Sequence, residues 1–196
     1  MESKKTAPTF MQLKNHFLIA MPMQQDDYFK QAVIYICDHN EQGSMGLVLT
    51  QPTDLSVAEL VAKMNFMMAD NRQYPDDVVL AGGPVSVENG FILHRKTKLD
   101  FQHSYKITDS IQLTTSADIV QTFGTMQQPE KFIVALGCAS WAPGQLEAEI
   151  ADNFWLVVPA DEYTLFDVPA TERWLAANSL LGIQNGNFVY QQIGHC

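Results

Sequence analysis

Three short stretches of this sequence carry residue types that could do chemistry. Cys37-Asp38-His39 sets a thiol and an imidazole two residues apart. On an extended chain both point to one side, and they could begin a zinc site. Tetrahedral zinc takes three or four protein ligands, and no second local pair supplies them. His94, His103 and His195 are distant in sequence, so the pair reads as structural and no metal is expected. Gly82-Gly83-Pro84 follows an apolar run. Glycines there either let backbone N–H groups converge on an anion or turn the chain tightly. Gly137-Cys138-Ala139-Ser140-Trp141-Ala142-Pro143-Gly144-Gln145 joins a second apolar run to the start of a helix. Unpaired amides and a positive dipole end favour a negative group at such a junction. Glu147 and Glu149 come next, but residues two apart on a helix do not face each other, so they do not form an acid/base pair. The candidate binding residues are Gly82, Gly83, Pro84, Ser140, Trp141, Gly144 and Gln145. No catalytic residue and no cofactor is assigned.

The stronger signatures are missing. The sequence holds no phosphate-binding Walker loop, G-x-G-x-x-G, H-E-x-x-H, G-x-S-x-G or Cys-x-x-Cys. This argues against the common nucleotidases, dehydrogenases, zinc proteases and α/β-hydrolases. The 196 residues are 46% hydrophobic and 17% charged, with a net charge of −10. That balance suits a globular domain and repels a phosphate backbone, which argues against nucleic acid as a partner. The cluster His94-Arg95-Lys96-Thr97-Lys98 reads as a solvated turn. Cys37, Cys138 and Cys196 are odd in number and widely spaced, so no disulfide framework is expected and a reducing compartment fits. No apolar stretch has the length of a membrane span or a secretory signal. The expected location is the cytoplasm.

The elements that must position these residues are legible from periodicity. Residues 1–10 are expected to form a frayed tail, and residues 11–196 one domain. Strands are expected at 15–20, 32–37 and 45–50, with a turn at Asp38–Gly43. A helix follows, with Ser56 as its cap and Glu59 closing a capping box. Leu55 and Leu60 would staple its start. Val57, Leu60, Val61 and Met64 would form its buried face. After a loop at 70–77, short strands are expected at 78–81, 90–94, 105–107 and 111–113. Thr115 or Ser116 would then open a helix through Phe123. Phe132–Leu136 reads as a buried strand and residues 137–142 as a loop. Pro143 would start a helix to about Asp152, and a strand would follow at 154–158. Asp161 would cap a short helix, and a last helix would run from about Pro169 past Trp174. Strands and helices mix without strict alternation. The fold class is therefore mixed α/β (α+β): a mixed sheet or small β-barrel-like core flanked by helices. Gly82-Gly83-Pro84 and the 137–145 stretch should lie close together, since strands adjacent in a parallel sheet end on one edge.

The chain resembles the AlgH/YqgE family of bacterial cytoplasmic proteins. The matching motifs run in order along it: Asn15–Pro22, Gly43–Pro52, Gly82–Val85, Gly90–His94, Gly137–Glu149, Trp155–Asp161, Arg173-Trp174 before Leu181-Gly182-Ile183, and Gly194-His195. Three positions depart from the family pattern. Cys138 stands where tyrosine is usual, and Gln31 and Ala32 stand where arginine and serine are common. The last two remove a positive charge and a hydroxyl, which counts against anion binding beside the first hairpin. The resemblance implies a compact fold with a small barrel-like sheet flanked by helices. It implies little about activity: the family name derives from a proposed role in regulating alginate production, and members are labelled transcriptional regulators. It brings no catalytic residue or cofactor.

The expected function is therefore a regulatory or interaction protein that contacts a protein or a small anionic ligand. One alternative is a sequence-specific DNA-binding regulator, which the net charge and the lack of a basic recognition helix disfavour. Another is a thiol enzyme using Cys138, whose pKa would have to be depressed near a helix N-terminus.

Overall fold

The structure is a computed structural model and describes residues 12–22, 28–64 and 72–182. The expected tail at 1–10, the start of the loop at 70–77, and Ile183, Gly194, His195 and Cys196 lie outside the described residues. Ten strands form one strongly curled sheet. They are β1 (His16–Ala20), β2 (Val33–Asn40), β3 (Gly43–Val48), β4 (Pro52–Ser56), β5 (Val78–Ala81), β6 (Val85–Arg95), β7 (Ser104–Lys106), β8 (Ile111–Thr114), β9 (Phe132–Trp141) and β10 (Trp155–Pro159). Four helices surround it: α1 (Val57–Lys63), α2 (Gln145–Ala151), α3 (Glu162–Phe166) and α4 (Arg173–Leu180). The order along the sheet is β10-β1-β2-β3-β9-β6-β8-β7, with β5 joining β9 and β4 joining β5. Every pairing is antiparallel except β5 with β9, which runs parallel through Leu80↔Ala135 and Ala81↔Leu136. The fold is thus mixed α+β with a half-barrel sheet, and no helix of the described residues is long and apolar enough to cross a membrane.

Alternation along the strands divides the core into layers. Phe17, Ile19, Val33, Tyr35, Leu47, Leu49, Leu93 and Ala135 fill the concave side of the sheet. Leu18, Ile34, Ile36, Val48, Leu146 and Trp155 pack on the outer face under α2. Val57 and Val61 of α1 join Val79, Ile92, Ile119, Phe123 and Val134 in a third cluster. The capping box at Ser56 and Glu59 forms as expected, and Leu55 and Leu60 pack against this third cluster. Met64 ends the helix exposed rather than on its buried face.

β9 organises the sheet and departs most from expectation. It runs ten residues, through Trp141, where a loop was expected from Gly137. Gly137 sits inside the strand at φ +74, a left-handed conformation that L side chains rarely adopt. It shifts the alternation by one residue. Ile133 and Ala135 face the concave core before it and Cys138 after it, while Ala139 and Trp141 turn to the outer face. The strand also changes neighbours. Ala135 and Leu136 pair with β5, whereas Ala139, Ser140 and Trp141 pair with β3.

Other differences have local causes. β2 continues through the expected turn because a bulge between Ile36 and Asp38 keeps it paired with β3 to Asn40↔Gly43. β4 has no apolar alternation, and it pairs only at Pro52↔Leu80 and Ser56↔Val78. The segment after Ser116 is a 3-10 turn at Ala117–Thr122 rather than an α-helix. Ser116 makes no capping bond to it and instead gives its hydroxyl hydrogen to Asp118. α2 begins at Gln145, with Pro143 outside it.

At the crossing of β5 and β9 the backbones touch. A Cβ on Gly83 would lie 2.0 Å from the carbonyl carbon of Cys138, and one on Gly82 would lie 2.4 Å from the Gly137 oxygen. A Cβ on Gly90 meets nothing within 4 Å. Gly83→Ala is expected to cost about 3 kcal/mol or more through forced backbone displacement, a fall in Tm of roughly 10 °C. Gly90→Ala should change stability by less than about 1 kcal/mol. Thermal unfolding of both variants checks this, and an unchanged Tm for Gly83→Ala contradicts it.

Candidate functional site

The bend at Gly137 delivers Ser140 and Trp141 to a pocket between β9, α2 and the start of β10. Its volume is about 310 Å³, and it is lined by Phe29, Pro84, Val85, Ala139, Ser140, Trp141, Gln145, Glu149, Phe154 and Trp155. The walls are aromatic. Trp155 meets Phe29 edge-on at 5.7 Å between ring centroids and Trp141 at 6.4 Å. Glu149 is the polar centre. Its Oε2 accepts indole N–H bonds from Trp141 at 2.9 Å and Trp155 at 2.8 Å, and its Oε1 accepts a bond from the Gln145 side-chain amide Nε2 at 2.9 Å. Charge-assisted bonds of this kind are among the stronger polar contacts, and they fix both rings. Gln145 is in turn held by the Ala142 N–H, which donates to its Oε1 at 3.0 Å.

α2 has seven residues and no side-chain cap, and Gly144 is its N-cap in a left-handed conformation. So short a helix is not stable alone. Leu146, fully buried in the outer core, and the Glu147 carboxylate, 3.5 Å from His39 Nε2, hold it against the sheet. Glu147 and Glu149 thus work on different sides of the helix, one toward the β2–β3 hairpin and one toward the pocket.

The pocket unites four of the candidate residues: Pro84, Ser140, Trp141 and Gln145. Pro84, Ser140 and Gln145 are exposed, and Trp141 is buried except for its pocket edge. The two glycine-rich segments are adjacent, as expected. Gly82 and Gly83 themselves are buried behind the pocket. Gly82 donates its N–H to Leu136 O, and its own oxygen accepts from Val48 N–H, both at 2.8 Å. The Gly82 amide is therefore paired within the sheet. Gly144 is exposed but does not line the pocket. Sequence reasoning missed Glu149, Trp155, Phe154 and Phe29. The tryptophans and Glu149 are close enough in sequence to be read together, but only the one-residue shift at Gly137 reveals that Trp141 and Trp155 share a face.

Cys37, Cys138, His39 and His94 are all buried. Cys37 and Cys138 are free thiols in the concave core. Burial pushes both thiols up, and the neighbouring Cys138 raises Cys37 further. His39 Nδ1 pairs with Ser44 Oγ at 2.7 Å. Within the supposed basic turn, His94 is wholly buried at the end of β6. Its Nδ1 meets Arg95 O at 2.7 Å and its Nε2 meets Thr114 Oγ1 at 2.8 Å, and burial lowers its pKa. Arg95 is bound by Glu162 and Glu130. Cys138 sits on a strand rather than at a helix N-terminus, so the depressed pKa that a nucleophile needs is replaced by a raised one. Site-resolved alkylation with iodoacetamide at neutral pH should find Cys138 at least about tenfold slower than a free cysteine. A Cys138 that reacts as fast as the free thiol contradicts this assignment.

Comparison with known proteins converges on one family. The AlgH-like family profile matches residues 17–186. A UPF0301 protein of Histophilus somni (strain 2336) is 69% identical over 182 residues, covering 93% of this chain and 97% of that protein. A UPF0301 protein of Pasteurella multocida (strain Pm70) is 67% identical over 186 residues, covering 95% of this chain and 100% of that protein. The solution structure of the AlgH protein from Pseudomonas aeruginosa matches with a TM-score of 0.75 and 41% identity, covering 98% of this chain and 100% of that one. A crystal structure of a protein from Corynebacterium diphtheriae shares the fold, with a TM-score of 0.67 and 21% identity over 85% of each chain. The conserved-length match, the identity levels and the shared half-barrel together place this chain in the AlgH-like family.

Proposed function

We propose that this protein is a regulatory or interaction protein that binds a protein partner or a small ligand, with the pocket beside Trp141 as its contact site. The observation that carries this reading is an open pocket whose aromatic walls are locked by one carboxylate. Rigid aromatic surface with a few fixed polar groups is the usual composition of recognition sites. The exposed Ser140 and Gln145 offer further hydrogen bonds. Glu149 lines the pocket, and among the described residues no lysine or arginine lines it. This supports a neutral or cationic group as the occupant, in place of the anion expected from the glycine turns. Aromatic faces attract cations as well.

Direct DNA binding draws no support from the helices. α4 is the longest of the described helices, at eight residues, and its single basic side chain, Arg173, is buried. The buried free thiols Cys37 and Cys138 support work in a reducing compartment such as the cytoplasm.

Ser140→Trp tests the reading, because it fills the pocket from an exposed position. Affinity purification at native expression, together with native mass spectrometry for a retained small molecule, should give a reproducible partner or ligand for the wild type. The variant should lose at least about tenfold of it while keeping its Tm. Equal recovery with both proteins, or nothing specific with either readout, contradicts the proposal.

A further inference from the structure

Another cavity lies between β5, the first half of β9 and the chain from Phe166 to Arg173. Its volume is about 390 Å³, and Pro52, Leu80, Phe132, Phe166 and Val168 give it apolar walls. Arg173 also lines it, although this side chain opens α4 and is only 6% exposed. Its Nη1 donates to Leu49 O at 2.8 Å, while its Nε is buried with no hydrogen-bond partner. Among the described residues no carboxylate pairs with it.

Such an arrangement is costly without compensation. A buried guanidinium with one carbonyl partner loses its water and gains little in return. Burial lowers its pKa to about 10, which still leaves it charged at neutral pH. Two acidic residues, Asp77 and Asp167, also line the cavity. Both are exposed, and Asp167 is already paired with Lys131. Among the described residues Arg173 is therefore the one cation lining the cavity, and no carboxylate is paired with it.

We propose that this cavity binds a small organic carboxylate with an apolar body, its charge resting on Arg173. A planar guanidinium matches a carboxylate in both shape and charge. The volume falls in the range of small-molecule sites, and the walls suit a hydrocarbon or aromatic body. Inorganic phosphate fits poorly, since its larger hydration cost has only one arginine to offset it. This proposal concerns a different site from the pocket beside Trp141 and does not depend on that pocket's occupant.

The test uses the full chain labelled with nitrogen-15 on arginine. The Arg173 side-chain resonance is followed while phenylacetate or octanoate is added, with 2-phenylethanol as the uncharged control. Both acids should shift the resonance in a saturable way at about millimolar concentration or below, and the alcohol should bind at least about tenfold more weakly. Arg173→Met should abolish the preference for acid over alcohol. Thr171→Trp, which narrows the cavity from an exposed lining position, should weaken both acids if Arg173→Met does not fold. A resonance that does not move up to about 10 mM of either acid, or equal binding of acid and alcohol by the wild type, overturns the proposal.

Discussion

The fold depends on one close backbone contact, where Gly82-Gly83 at the end of β5 passes over Gly137-Cys138 in the middle of β9. The contact leaves no room for a Cβ at position 82 or 83, so side-chain packing cannot substitute for it. It also supports the left-handed conformation of Gly137, whose own Cβ would meet Gly83 O at 2.4 Å. Three consequences follow from that bend. β9 exchanges β5 for β3 as its neighbour, the sheet curls, and the inward and outward positions trade places. Trp141 then packs in the outer layer with Trp155 and Leu146.

The pocket inherits its rigidity from this bend and from Glu149. Two indole N–H groups need buried acceptors, and a single carboxylate oxygen serves both. The shared acceptor couples the end of β9 to the start of β10 through α2, although α2 lacks a side-chain cap of its own. Its stability comes from packing and from contacts at both of its acidic residues, as is general for short helices. The pocket is thus lined by side chains at the end of β9 and on α2, while Gly82 and Gly83 lie buried behind them.

Much of this was legible in the sequence. The β-branched run 32–37 and the apolar run 132–136 became strands, the Ser56–Glu59 box became a helix start, and the pairing of β5 with β9 was readable from two apolar runs that each end in glycine. The errors arose where tertiary pairing overrode local signals. Gly137 looked like the end of a strand, because positive φ within a strand is rare and requires a partner such as Gly83 to sustain it. The DHNEQG stretch looked like a turn throughout, but a bulge let β2 continue to Asn40. β4, with Pro52, Thr53 and Asp54, carries no apolar alternation to read. Ser140, Trp141 and Gln145, singled out from the sequence, line one pocket. Glu149 was set aside as half of a failed acid/base pair, because its bonds go to rings whose common face exists only after the bend.

The amides at the crossing give the most direct test. Val48 N–H donates to Gly82 O, and Gly82 N–H donates to Leu136 O. If this crossing holds the sheet together, both amides exchange with solvent only through global unfolding. Their opening free energies should then equal the stability measured by denaturant and fall in step with it. Exchange of either amide through a low-energy local opening, while Ala135 and Leu136 stay protected, would contradict the account.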